Sequence, residues 1–86
     1  PLLREAGNLR GVITTRRNLG LLADRRQEYD VSLRHYSECL RLAETVAAPE
    51  RLADALRCQG YAYQQLGRHE EARLAWERSR KAYQAL

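Results

Sequence analysis

The sequence predicts an all-α fold built from antiparallel helix pairs. Three observations predict it. The composition is dominated by Ala, Leu, Arg, Glu and Gln, which are strong helix formers. No segment alternates apolar and polar residues as a β-strand does. Apolar residues recur at the i, i+3, i+4, i+7 spacing of a helix that buries one face, and short connections between such helices make them antiparallel neighbours.

Breaks in this pattern divide the chain into four predicted helices. They fall at Gly7-Asn8, Arg26-Gln27, Ala47–Pro49 and Leu66-Gly67. Asn8 is a candidate N-cap, Pro49 suits the first turn of a helix, and Gly67 suits a C-terminal cap. The predicted helices cover 9–26, 28–46, 49–66 and 68–86, and residues 1–6 are interpreted as the end of an earlier helix.

Each predicted helix carries one apolar face that we expect to be buried. In the second helix this face consists of Ser32, Tyr36, Cys39, Leu40, Ala43 and Val46. In the third helix it consists of Leu52, Leu56, Tyr63 and Leu66, with the small residues Ala55, Gly60 and Ala62. In the fourth helix it consists of Ala72, Ala75, Trp76, Ser79, Ala82, Tyr83 and Leu86. The aromatic residues of the fourth helix are therefore expected in the core rather than against a ligand.

The two halves of the chain repeat each other at an offset of 40 residues, the separation of Gly20 and Gly60. After each glycine a small residue follows at position twelve and an aromatic residue at position sixteen. These equivalent pairs are Ser32 with Ala72 and Tyr36 with Trp76. The repeat is one of residue size and polarity, because few positions are identical.

This pattern resembles the tetratricopeptide repeat. That family carries a helical glycine, an aromatic residue three positions later, a small residue twelve later and an aromatic residue sixteen later. Gly60, Tyr63, Ala72 and Trp76 match it well, whereas Ala23 stands where the first unit would have its first aromatic residue. The offset of 40 residues exceeds the usual repeat of about 34. It is similar to that of repeats in bacterial signal-transduction ATPases and transcriptional regulators.

The resemblance implies helix pairs stacked as a right-handed superhelix with a concave groove. It divides the chain into the tail of a preceding repeat at 1–7, one repeat at 8–47 and a second at 48–86. In this family the first helix of each pair lines the groove, and the face opposite the buried stripe predicts its lining. The predicted groove residues are Thr14, Arg17, Asn18, Leu21, Asp24, Arg25, Asp54, Arg57, Cys58, Tyr61, Gln64 and Gln65.

Arg17 and Arg57 occupy equivalent positions, so their guanidinium groups are expected to stack along the groove and hold a carboxylate of a partner peptide. Leu21 and Tyr61 would add apolar contact, and the glutamines would bond an extended backbone. Arg on an exposed helix face can equally be solvated, and both interpretations stand at this point.

The expected function is protein or peptide binding by a module of a larger regulatory or scaffold protein. The chain begins with Pro1 and contains no Met, which favours an internal piece of a longer protein. The partner is either a separate protein or another domain of the parent chain. The alternative is self-association, because two repeats leave apolar end faces uncovered. Nucleic-acid binding is disfavoured, since the Arg residues spread over every helix and alternate with Glu.

Other classes of function lack their residues in this sequence. No catalytic set of side chains and no Gly-rich phosphate loop is present, so we expect neither an enzyme nor a cofactor. His35 and Cys39 lie one turn apart but are too few for a metal site. No apolar run is long enough to cross a membrane. The two cysteines lack disulfide or zinc-ligand spacing, which favours a reducing compartment and a cytoplasmic location.

Overall fold

The computed structural model describes residues 2–86, with side chains from residue 7 onward. Its helices are α1 (Leu2–Arg25), α2 (Tyr29–Thr45), α3 (Pro49–Gln65) and α4 (His69–Gln84). Each helix packs on the next along the chain, and α1 also contacts α3. The described residues contain no strand. The predicted all-α fold of consecutive antiparallel helices is therefore confirmed.

The turns between helices share one backbone design. Each places a residue in the left-handed region, namely Gln27 (φ 60°), Ala47 (φ 51°) and Gly67 (φ 76°). In each turn the next N–H donates to a carbonyl five residues earlier: Glu28 to Ala23 (2.9 Å), Ala48 to Ala43 (3.0 Å) and Arg68 to Tyr63 (2.9 Å). This is the hydrogen bond of a Schellman cap. Because the left-handed residues recur every 20 positions, two turns and two helices make the unit of 40 residues.

The helix boundaries agree with the predicted ones except at the start of the chain. The break predicted at Gly7-Asn8 is wrong, because α1 runs without interruption from Leu2 to Arg25. One glycine inside a helix costs only about 1 kcal/mol, and Asn8 does not stand at a helix end where its side chain would cap. The interpretation of 1–7 as the tail of a preceding repeat rests largely on residues whose side chains lie outside the described part.

The core lies where α1, α2 and α3 meet. One buried cluster contains Ile13, Cys39, Leu42, Ala43 and Ala55, and a second contains Tyr36, Cys58 and Ala62. The predicted face of α2 is confirmed, since Ser32, Tyr36, Cys39 and Ala43 are all buried and Leu40 and Val46 are partly buried. Gln59 and Ala53 are also buried, although the sequence pattern did not predict it. The reason is that α3 packs against α2 on one side and α4 on the other.

Part of the predicted buried face of α4 is exposed. Trp76 is 41% exposed and Tyr83 is 44% exposed. Leu86 is exposed as well, and so is Leu66, which was predicted on the buried face of the third helix. Among the described elements α4 packs only on α3, so a narrow stripe of Ala72, Ala75 and Ser79 suffices to bury the contact. The expectation that these aromatic side chains lie inside the core is therefore wrong for this structure.

Candidate binding groove between the first and third helices

The groove lies between α1 and α3, the first helices of the two repeats, with α2 beneath it. It contains a larger cavity of about 500 Å³ and a smaller one of about 310 Å³. Tyr36 and Cys58 lie against both cavities. The larger volume falls in the range of about 300 to 1,000 Å³ that is usual for ligand sites. We refer to this feature as the α1–α3 groove.

Most of the residues predicted from the helix phase lie along these cavities. Thr14, Arg17 and Asp54 line the larger cavity. Leu21, Asp24, Arg25, Arg57 and Tyr61 line the smaller one. Asn18, Gln64 and Gln65 are exposed but line neither cavity. A hydrogen bond of 2.8 Å joins Gln64 Oε1 to His69 Nδ1, which turns this amide toward the start of α4.

The guanidinium groups of Arg17 and Arg57 converge on one internal carboxylate. Arg17 Nε donates to Oδ2 of Asp54, and Arg57 Nη2 donates to Oδ1 of the same carboxylate at 2.8 Å. The two Arg residues do come together in the groove. Both already pair with Asp54, however, so the three side chains together carry one net positive charge.

The electrostatics of this cluster follow from its geometry. Burial raises the pKa of the Asp54 carboxyl, but the hydrogen bonds from Arg17 and Arg57 more than offset this and leave the pKa below its ordinary value. The hydrogen bond to Asp54 in turn raises the pKa of Arg57. The carboxylate is therefore ionised at neutral pH and ties α1 to α3 across the groove.

Two further basic side chains, Arg10 and Arg51, line the larger cavity. Arg51 Nη1 donates to Thr14 Oγ1 at 3.2 Å. Among the described side chains, neither Arg10 nor Arg51 forms an ion pair with a carboxylate. Neither residue was among the positions predicted to line the groove. The signal was present, because Arg10 lies one turn before Thr14 and Arg51 lies three residues before Asp54 on the same helix faces.

Below the smaller cavity, the Tyr36 hydroxyl donates a hydrogen bond of 2.5 Å to Asp24 Oδ2. Burial first, and this hydrogen bond second, raise the pKa of Tyr36. The other carboxylate oxygen, Asp24 Oδ1, is buried and has no hydrogen-bond partner among the described residues. Tyr36 thus links α2 to the C-terminal end of α1.

The two thiols of the chain are buried beneath the groove. Cys58, which the helix phase predicted in the groove, lies against both cavities but is buried, because it also packs against Tyr36 and Ala62. Burial raises the pKa of Cys39 and of Cys58 to about 11. Both therefore stay protonated at neutral pH, which suits structural rather than reactive cysteines.

The described residues contain no group of three or more His, Cys, Asp and Glu side chains arranged to hold a metal ion. In the part of the chain that the structure covers, no helix is long and apolar enough to cross a membrane.

Comparison with known proteins agrees with this architecture. The sequence profile of the tetratricopeptide repeat family matches residues 11–85. Comparison with curated proteins and with solved structures finds no match. The matched range includes all three turns and both of the glycine residues, Gly20 and Gly60, that define the repeat. The chain therefore belongs to the tetratricopeptide repeat family.

Proposed function

We propose that this chain is a protein-interaction module that binds an extended acidic peptide segment in the α1–α3 groove. The family is generally one of protein-interaction repeats, which supports a protein partner. The observation that carries the proposal is the presence of Arg10 and Arg51 in the larger cavity without carboxylate partners among the described side chains. The lining of that cavity has three Arg and two acidic side chains, so its formal net charge is +1.

The chemistry of the groove suits a carboxylate between polar contacts. Arg51 already points toward the Thr14 hydroxyl, and a guanidinium group can bind a carboxylate through two parallel hydrogen bonds. Arg17 and Arg57 are held by Asp54, so they shape the groove and contribute only their remaining N–H groups. Leu21 and Tyr61, beside the smaller cavity, offer apolar contact to the neighbouring part of the peptide.

A matched pair of peptides tests this proposal. The probe is a short fluorescein-labelled peptide rich in Asp and Glu, and its control replaces each acid by the corresponding amide. Fluorescence anisotropy should show binding of the acidic peptide only. Arg51→Gln should weaken binding about tenfold, because a hydrogen bond to a charged group contributes roughly 1.5 to 3 kcal/mol.

Arg34→Gln is the matched control variant, because Arg34 is an exposed arginine of α2 that lines neither cavity. It should leave the affinity within about twofold of the unaltered chain, allowing only for a small long-range charge effect. Equal loss in Arg51→Gln and Arg34→Gln would mean that only the net charge attracts the peptide. Arg57→Ala and Tyr61→Ala probe the smaller cavity, and no effect of either would remove that cavity from the binding site.

In the parent protein, we propose that the module serves a regulatory or scaffold role in the cytoplasm. The acidic segment would belong either to a separate protein or to another domain of the same chain. Adding the purified remainder of the parent chain to the anisotropy assay separates these cases, because a segment bound within the parent would compete with the labelled peptide.

A further inference from the structure

We propose that copies of this chain stack head to tail, with the outer face of α1 in one copy covering the outer face of α4 in the next. This inference goes beyond peptide binding in the groove and uses different surfaces. The head face consists of Val12, Leu19 and Leu22 on α1. The tail face consists of Trp76, Arg80 and Tyr83 on α4.

The contact between α2 and α3 inside the chain is the template for this stacking. On α2, Tyr36, Leu40 and Ala43 pack toward α3. On α3, Leu52 packs against the first core cluster and Ala62 against Tyr36. Gln59 Nε2 donates to Ser37 Oγ at 3.1 Å across the same contact. These residues define the two halves of one interface.

The offset of 40 residues carries each half of that interface to one end of the molecule. The α3 residues Leu52, Gln59 and Ala62 correspond to Val12, Leu19 and Leu22 of the head face. The α2 residues Tyr36, Leu40 and Ala43 correspond to Trp76, Arg80 and Tyr83 of the tail face. The outer helices therefore display, with different side chains, the positions equivalent to the two sides of a contact that the chain makes internally.

Both faces are uncovered in this structure. Val12, Leu19 and Leu22 are 42%, 42% and 43% exposed, although all three are large apolar side chains. The inner edge of Trp76 lies against Gly60 as Tyr36 lies against Gly20. Tyr36 is 1% exposed because α3 covers it, whereas Trp76 is 41% exposed. A helix placed on α4 as α3 lies on α2 would bury both the Trp76 ring and its own apolar stripe.

A second copy is the occupant that these observations favour, because the head and tail faces stand at positions equivalent to the two sides of the α2–α3 contact. Such a contact is heterologous, so each added copy leaves one free head and one free tail. On the tail face, Arg80 forms no ion pair among the described side chains, so its alkyl stem would pack in the contact while its guanidinium group stays at the edge in water. The net charge of +4 does disfavour association of identical copies. Added salt should therefore strengthen stacking by screening, whereas it should weaken binding of an acidic peptide.

Trp76 is the only Trp of the chain and provides an internal probe. Its emission should move to shorter wavelength and become less accessible to acrylamide as the protein concentration rises. Light scattering should show the mass growing over the same range without stopping at a dimer. Leu22→Glu, an exposed change on the helix farthest along the chain from Trp76, should weaken association at least about tenfold by burying a charge in the contact.

A mixing experiment tests the direction of the contact. Leu22→Glu keeps Trp76 but has a damaged head face. Trp76→Tyr does not emit under selective Trp excitation and keeps an intact head face. It also places at position 76 the residue type found at the equivalent position 36. Excess Trp76→Tyr should shift the Trp emission of Leu22→Glu, while the double variant Leu22→Glu/Trp76→Tyr should not. Circular dichroism checks that each variant retains its helices, and Leu19→Glu replaces Leu22→Glu if the latter does not.

Several results would overturn head-to-tail stacking. One is an unaltered chain whose mass and Trp emission do not depend on concentration at any salt level. Another is a concentration-dependent shift that persists in Leu22→Glu, which would indicate an α4-to-α4 contact instead. A mixture that shows no shift would also contradict it. Arg51→Gln should leave all of these measurements unchanged, so stacking and peptide binding can fail independently.

Discussion

A methyl group added at Gly20 would lie 2.5 Å from Cε1 of Tyr36. The backbone of α1 therefore touches the Tyr36 ring directly, and the hydroxyl of the same ring reaches Asp24 one turn later on α1. The second repeat has the same arrangement, in which a methyl group at Gly60 would lie 2.2 Å from the Trp76 ring. In each repeat, the aromatic ring sixteen positions later thus packs directly against the backbone of the helical glycine.

The first prediction concerns the contact between Gly20 and Tyr36. Gly20→Ala should destabilise the fold by about 1 to 2 kcal/mol, because the overlap with a buried ring costs more than the roughly 1 kcal/mol that alanine gains in helix propensity. Gly11→Ala in the same helix has open space around it and should stabilise by up to about 1 kcal/mol. Urea unfolding followed by circular dichroism measures both. A stabilising Gly20→Ala would show that Tyr36 can move away.

The second prediction concerns the hydrogen bond between Tyr36 and Asp24. Tyr36→Phe should cost about 1 to 3 kcal/mol, because it removes the one hydrogen bond that the partly buried Asp24 carboxylate accepts from a described side chain. Tyr63→Phe is the control, since the Tyr63 ring lies 5.0 Å from the Arg68 guanidinium carbon and its hydroxyl makes no hydrogen bond to a described residue. That variant should lie within about 0.5 kcal/mol of the unaltered chain. Equal effects of both changes would assign the loss to something other than Asp24.

The third prediction concerns pH and the Asp54 carboxylate. Since the folded state lowers the pKa of Asp54 below its ordinary value of 3.8, the ionised form stabilises the fold above that pH. This contribution should disappear as the pH falls through the lower folded pKa. Asp54→Asn should therefore cost about 1 kcal/mol at neutral pH, a modest figure because both Arg partners are partly exposed. The gap between variant and unaltered chain should close in acid.

Denaturant unfolding at neutral and acidic pH checks this behaviour. Glu44→Gln serves as the control, because Glu44 is exposed and has no ion-pair partner among the described side chains. Its effect should stay below about 0.5 kcal/mol. An Asp54→Asn penalty that persists unchanged in acid would attribute the loss to packing rather than to charge.

The fourth prediction concerns the left-handed turns. Ala47→Gly should stabilise the chain by about 0.5 to 1 kcal/mol, because Ala47 has a positive φ that alanine adopts only at a cost. Gly67→Ala in the equivalent turn should cost about 1 to 2 kcal/mol for the same reason. A methyl group at Gly67 would meet no atom within 4 Å, so a loss of stability in Gly67→Ala would reflect the backbone conformation and not a steric clash. Thermal unfolding should rank the two changes in opposite directions.

Helix starts and caps that depend on only a few neighbouring residues were predicted well from the sequence. Pro49 stands in the first turn of α3 and Gly67 stands in the left-handed cap after it. Both follow from the conformation each residue prefers on its own. The Gly7-Asn8 break failed because a cap residue is only a preference, and continuous helix on both sides removes the free N–H groups that Asn8 would have capped.

In the groove, too, the positions of residues were predicted better than the contacts that they make. The phase of α1 and α3 brought nine of the predicted positions to the two cavities, including Arg17, Asp54 and Tyr61. The partner of Arg17 did not follow from phase, because the guanidinium reaches across to Asp54 on another helix. Nor could phase single out Arg10 and Arg51. Their availability to bind a carboxylate of a partner depends on which Arg residues are already paired within the chain.

The sequence by itself therefore determined the helices, the repeat of 40 residues and the family, because these depend on residue preferences and on periodic spacing along one chain. Only the tertiary structure decided that Tyr36 is buried while its equivalent Trp76 is half exposed. It also decided that Arg17 and Arg57 share one internal carboxylate. The physical reason is that burial and charge pairing depend on what packs against a helix face, and the pattern within a helix shows only which face can be covered.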